Sequence, residues 1–198
     1  MTNIGMAGQG DNVNGNNNHI WIGNDGPNTF TFSNRASDDV ILILWDNPEK
    51  DYQSSFMNVR RPKVSWSLPA GQSVTVSIAN GVSGGFSPLY QHKTTLSQYG
   101  QVFNTWGEFT SGSSATIDVS REINMNGNNV SIRVSTGCVS DMNTCSFQCK
   151  SGDRCWESGS YNLVNCNGPN AASGWWDGNP SGGCQGWSNG GHIDIEFH

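Results

Sequence analysis

Glu108 and Asp118 are the carboxylates best placed to do chemistry together. They lie on neighbouring segments, and glycoside hydrolysis needs two carboxyl groups flanking one bond, one protonated as acid and one ionised as nucleophile or base. The alternative is a pair of solvated strand ends balanced by Arg121 or Arg133. Trp175 and Trp176 fall in a Gly/Asn-rich stretch with no sheet face to bury both rings, and exposed aromatic faces stack on sugars and other flat or cyclic ligands. One of the two covering a disulfide is the plainer reading. Trp21, Trp45, Trp66 and Trp106 lie in strand-like runs and are expected in the core. The histidines, His19, His92, His192 and His198, stand in different contexts, and His19 could meet His192 or His198 at a metal only if the N-terminal segment folded back. No Gly-x-Ser-x-Gly or His-Glu-x-x-His motif occurs, and no Gly-rich run links a strand to a helix as a phosphate loop must. No metal and no cofactor is expected.

Cysteine usage sets the compartment. All six, Cys138, Cys145, Cys149, Cys155, Cys166 and Cys184, fall in the last third, without a CxxC pair or a following His pair for zinc. Three disulfides and export are expected, with fifteen pairings open. Met1 is not followed by the charged and apolar regions of a signal peptide, which leaves a cytosolic protein or one whose leader was replaced by a start methionine. The cysteines favour the second. Asn129-Val130-Ser131 is a glycosylation sequon that suits export.

The 198 residues suffice for one domain with a sizeable core. Only 13% are charged, while Gly, Ser and Asn supply more than a third of the chain, a composition of turns and short strands rather than helices. A formal charge of −6 without a basic cluster argues against nucleic acid and anionic membranes as partners. The longest aliphatic run, Val40 to Trp45, is too short for a transmembrane segment.

Residues 1–18 lack the apolar content to offset ordering and are expected as a flexible arm. Thr29–Ser33, Val64–Leu68, Val74–Ile78, Val130–Val134 and Ile193–Phe197 alternate apolar with polar, the period of half-buried strands, and Val40–Trp45 reads as a strand covered on both faces. Pro69-Ala70-Gly71 reads as a hairpin turn, and Asn80-Gly81 with Gly84-Gly85 as a strand end. These elements predict an all-β sandwich core over 19–137 and 190–198, with a disulfide-stapled lobe over 138–189 in which Tyr161–Val164 is a strand.

Several segments, taken in order, resemble thaumatin-like proteins. Thr29-Phe30-Thr31-Phe32-Ser33-Asn34-Arg35 followed by a strand to Trp45 resembles the family's first hairpin. Leu68-Pro69-Ala70-Gly71-Gln72-Ser73 with Gly84-Gly85, then Trp106-Gly107-Glu108-Phe109, then Asp118-Val119-Ser120 before Asn124-Met125-Asn126 continue the series over roughly residues 28 to 150. The resemblance implies a thaumatin-like β-sandwich with an acidic cleft. Its Glu maps onto Glu108 and its first Asp onto Asp118; its second Asp falls near Ile123, beside Glu122, and its Arg near Tyr90. Tyr90, Trp106 and Phe109 flank that cleft in sequence.

The use of Asn, Gly and Ser in place of charge suits an exported microbial protein, fungal by preference, and the resemblance further implies recognition of cell-wall polysaccharide, β-1,3-glucan above all. With the Arg and the second Asp replaced, binding through Glu108, Asp118, Glu122, Tyr90, Trp106, Trp175 and Trp176 is favoured over endo-β-1,3-glucanase activity. A third reading is a monomeric effector that binds a host protein through the Trp-rich segment. Mass spectrometry tests the compartment reading: reduction should add six hydrogens, and six thiols already free would overturn it.

Overall fold

The computed structural model describes residues 1–91 and 93–198, and among these, fifteen strands form two sheets. In chain order they are β1 (Ile20–Ile22), β2 (Asn28–Asn34), β3 (Val40–Asp46), β4 (Val64–Leu68), β5 (Ser73–Ile78), β6 (Ser83–Tyr90), β7 (Trp106–Thr110) and β8 (Thr116–Ser120). The rest are β9 (Val130–Val134), β10 (Val139–Ser140), β11 (Ser146–Cys149), β12 (Tyr161–Val164), β13 (Ala171–Trp176), β14 (Asn179–Cys184) and β15 (His192–Phe197). One sheet runs β1-β5-β2-β15-β9-β10 and the other β12-β11-β8-β7-β6-β3-β4, with β13 and β14 attached through β14 to β8.

Strict alternation builds the sandwich. Phe30 and Phe32 of β2 and Ile193, Ile195 and Phe197 of β15 point at Leu42, Leu44, Phe86, Phe109, Ile117 and Val119 of the second sheet, all buried in one cluster. Edge-on ring contacts close the interface, Phe30 to Phe109 at 5.0 Å and Phe32 to Phe86 at 4.9 Å. The opposite parity of β3, β6 and β7 carries Ile43, Trp45, Leu89 and Trp106 to the outer face, where Met6, Met57 and Val102 cover them. Val40–Trp45 is thus buried on both faces as expected.

Some connections differ from the expectation. The turn at Pro69-Ala70-Gly71 is present, with Gly71 at φ 77° and Gln72 N–H donating to Pro69 O, but it leads from β4 in one sheet to β5 in the other. The links from β2 to β3 and from β5 to β6 cross between the sheets as well, because turn residues encode a reversal and not sheet membership. Gly84-Gly85 lies inside β6, where a Cβ on Gly85 would stand 2.6 Å from the Trp45 ring.

The N-terminal segment passes from the outer cluster at Met6 along the edge of β4 at Gly10 and Asn12 to β1, where Val13 and Asn14 meet Ile22. Ala7 N–H donates to Met57 O, Gly10 N–H to Ser65 Oγ, and the Asn12 amide brackets Ser65 through both its N–H and its carbonyl. Polar groups of this segment satisfy an exposed strand edge while Met6, with Met1 and Ile4, packs into the outer apolar cluster, two anchors that overall composition does not register. The three disulfides are Cys138–Cys184, Cys145–Cys166 and Cys149–Cys155. All lie in the C-terminal segment, whose strands extend both sheets: β10 pairs with β9, β11 runs parallel to β8, and β14 meets β8 at Cys184–Ile117.

A Cβ on Gly107 would lie 2.0 Å from the Phe86 ring, which Phe32 and Phe197 hold in place. Gly107→Ala should therefore destabilise by about 1–3 kcal/mol as an overpacked core does, read as a lower urea midpoint; an unchanged midpoint would contradict this packing.

Candidate functional site

Between the strand-end loops and the β13–β14 hairpin, the outer face of the second sheet is left open. Antiparallel register sets Glu108 of β7 directly opposite Asp118 of β8, and because Phe109, Ile117 and Val119 face inward, both carboxyls face outward. Glu122 follows two positions after Ser120 with the same parity, on a bend whose Glu122 carbonyl accepts from Cys155 N–H. These three carboxyls lie close enough to act on one another electrostatically.

The open face is a trench of three adjoining cavities. The middle one, about 490 Å³, is lined by Asn47, Ser83, Glu108, Asp118, Phe147, Trp176 and Ser181. A cavity of about 380 Å³ adjoins it through Asn47 and Glu108 and reaches Trp45, Tyr52 and Trp106. On the other side a cavity of about 1000 Å³ shares Ser83, Thr110, Thr116 and Trp176 and extends to His19, Asp46 and Gln185. Hydroxyl and amide side chains dominate the walls. Two acids on the walls are paired: Asp46 with His19 at 2.8 Å and Lys63 at 3.7 Å, and Asp51 with Arg60 at 3.0 Å.

At the floor the balance is different. Burial pushes the Asp118 carboxyl well above its ordinary range, and the Glu108 and Glu122 carboxyls push it further. Burial and then Glu108 push Glu122 up to about 9. Glu108 is raised by burial, with the Ser120 hydroxyl opposing the shift by favouring the charged form. Tyr161, edge-on to Phe147, is raised by its own burial and then by Glu122 and Glu108. Asp118 is 4% exposed, and its Oδ1 accepts no hydrogen bond.

The other sequence candidates divide. Trp106 lines the trench through its edge while its indole N–H donates to Val102 O in the outer cluster. Trp175 and Trp176 flank a two-residue turn in which Asp177 and Gly178 both have positive φ, the geometry of a tight hairpin. Successive strand residues face opposite ways, so Trp176, 79% exposed, lines the trench, while Trp175, 72% exposed, lines none of its cavities. Tyr90 does not reach the trench: it has the inward parity of Phe86, is 2% exposed, and its hydroxyl donates to His198 O. Phe109 also packs inward. The tryptophan beside a disulfide is Trp187, buried with Cys138 and Cys184.

Sequence reasoning did not find Ser120, Phe147 or Tyr161. Ser120 shares the face of Asp118 two residues away and was findable by alternation; Phe147 and Tyr161 arrive through the β11–β8 pairing, which has no local signal. Among the described residues, one group of metal-type ligands has its donor atoms within 4.8 Å of one another, Cys138, Cys145 and Cys184, and each sulfur is spent in a disulfide. His19 stands at Asp46, His192 at Thr29 and His198 at Ser131, whereas His92 lies outside the described residues.

Fold and trench define a disulfide-bonded β-sandwich protein with an acid-floored groove on one sheet. Residues 23–174 match the Allergen Asp f 4-like domain, and the chain belongs to that family. This match overturns the resemblance to thaumatin-like proteins over the same stretch. The short motifs that carried the resemblance describe strands and turns that many sandwiches use, so their order alone did not identify a family. No curated protein matches the chain. Among the described residues no helix is long and apolar enough to cross a membrane.

A carboxyl raised on folding adds most stability below its unfolded pKa and loses that contribution as pH rises through its folded value. For Glu122 the window runs from 4.5 to about 9. The melting temperature should therefore fall across that window, and Glu122→Gln, which keeps the shape without the charge, should flatten part of the fall. A melting profile identical to the parent's would contradict the shift.

Proposed function

We propose that the chain is a secreted carbohydrate-binding protein that holds a stretch of polysaccharide in the trench. The observation that carries this reading is the continuity of the three cavities: Asn47 lines all three, Glu108 joins the middle one to the smallest, and Ser83 and Trp176 join it to the largest, which suits an extended ligand. Serine, threonine, asparagine and glutamine side chains along the walls match the hydroxyls of a sugar chain, and the exposed Trp176 ring offers a stacking face. Export is supported by the three disulfides. The preference for β-1,3-glucan came from the overturned resemblance, so the linkage is left to assay.

Hydrolysis is the second reading, favoured by Glu108 lying opposite Asp118. A hydrolase needs environments that push its two carboxyls apart, one ionised and one protonated. Here burial pushes Glu108, Asp118 and Glu122 in the same direction, which suits binding better than cleavage.

Cosedimentation with insoluble β-1,3-glucan, chitin, deacetylated chitin and cellulose tests the proposal, with released reducing ends scored in the same tubes. At least one polymer should retain the protein without release of reducing ends, and Trp176→Ala should weaken retention about tenfold, the loss of one stacking contact. Release abolished by Glu108→Gln would make the protein a glycosidase. No retention by any polymer would sink the carbohydrate reading and direct attention to a protein partner at Trp175.

A further inference from the structure

Two carboxyls, Glu108 and Asp118, line the middle cavity of the trench, Glu122 lines none of its cavities but acts on Asp118 electrostatically, and among the described residues no Lys or Arg lines that middle cavity. Glu108, Asp118 and Glu122 take part in none of the ion pairs among the described residues. The charged groups that act on Asp118 are Glu108 and Glu122 themselves. Arg121, the nearest basic residue in sequence, is turned away, its guanidinium donating to the carbonyl oxygens of Met142 and Met125. Asp118 meanwhile keeps one carboxyl oxygen buried and without a donor beside an open cavity of about 490 Å³.

A buried acceptor left without a partner costs about 1–3 kcal/mol, and more when charged. The group that completes this floor must therefore donate hydrogen bonds, and to offset several acids at once it must carry positive charge. A protonated primary amine does both, since it has three donors and no acceptor. On either side Trp176 and Phe147 offer apolar surface to a ring, while Ser83 and Asn47 offer partners for its hydroxyls.

Resting on the polysaccharide reading of the same trench, we infer that Glu108 and Asp118, with Glu122 adding negative charge beside them, form a recognition site for the protonated amine of an amino-sugar unit, so that the preferred ligand is a glucosamine-type polymer. An acetylated amine brings no charge to this floor. A neutral glucan brings hydroxyls, which can donate but leave the carboxyls uncompensated. Because burial holds the empty floor toward its protonated forms, an arriving ammonium shifts the carboxyls toward ionisation and releases protons, whereas a neutral sugar leaves the proton count unchanged.

Isothermal titration of the full chain at about pH 6, in two buffers of different ionisation enthalpy, reads affinity and proton release together. The ligands are oligomers of glucosamine, N-acetylglucosamine and β-1,3-linked glucose of equal length. The glucosamine oligomer should bind at least about tenfold more tightly than the other two and release about one proton. Asp118→Asn and Glu122→Gln should each bring the affinity ratio towards unity and remove the proton release. Equal affinities with no protons released would overturn the amine site while the polysaccharide reading stands. No affinity for any oligomer would overturn both, and both outcomes are read on the parent protein, without dependence on a variant's folding.

Discussion

The register of β7 against β8 is the constraint on which the site depends. With Glu108 opposite Asp118, alternation sends Phe109, Ile117 and Val119 into the sandwich; a slip of one residue would put the carboxyls in the core and those apolar side chains in water. The buried inner face thus fixes the outer one. Closing the trench takes parts distant in sequence: Met6, Met57 and Val102 pack with Trp45 and Trp106, Asn47, Tyr52 and Ser55 line the cavity beside them, and β13–β14 forms the opposite wall with Trp176. Cys138–Cys184 ties that hairpin to the strand beside β9, and a loop of 46 residues closed in this way is worth about 4 kcal/mol on the chain-entropy account.

The floor carries an electrostatic cost that the rest of the fold supports. Buried Asp118 and Ser120 lie with half-buried Glu108, Glu122 and Tyr161, the three carboxyls form no ion pair among the described residues, and one Asp118 oxygen lacks a donor. Elsewhere in the trench Asp46 is paired with His19 and Lys63, and Asp51 with Arg60. An uncompensated cluster inside a well-packed sandwich is the kind of local conflict expected where a ligand supplies the missing group.

Alternation made the strands legible, including β15 returning to the sandwich beside β2 and β9. It did not say which sheet each strand joins, because Pro69-Ala70-Gly71 and Asn80-Gly81 turn the chain equally well within a sheet or between sheets. Glu108 and Asp118 stood out as a carboxylate pair on neighbouring segments, and the structure sets them opposite each other on one face; Glu122 entered through the resemblance and lies close enough to act on Asp118. Tyr90 was misplaced because proximity along the chain was read without the parity of β6, which points it inward with Phe86. Ordered short motifs misdirected the family reading, since they record turns and strands that unrelated sandwiches share.

The central claim is that Asp118 is buried beside the half-buried Glu108 and Glu122, with no cation paired to any of them among the described residues. Carbon-detected NMR titration of the side-chain carboxyls measures this site by site. The account predicts that Glu122 titrates near 9 and that Asp118 and Glu108 titrate above the ordinary carboxylate range, with each midpoint lowered when a neighbour is replaced by its amide. Three independent transitions at ordinary carboxylate values would contradict it.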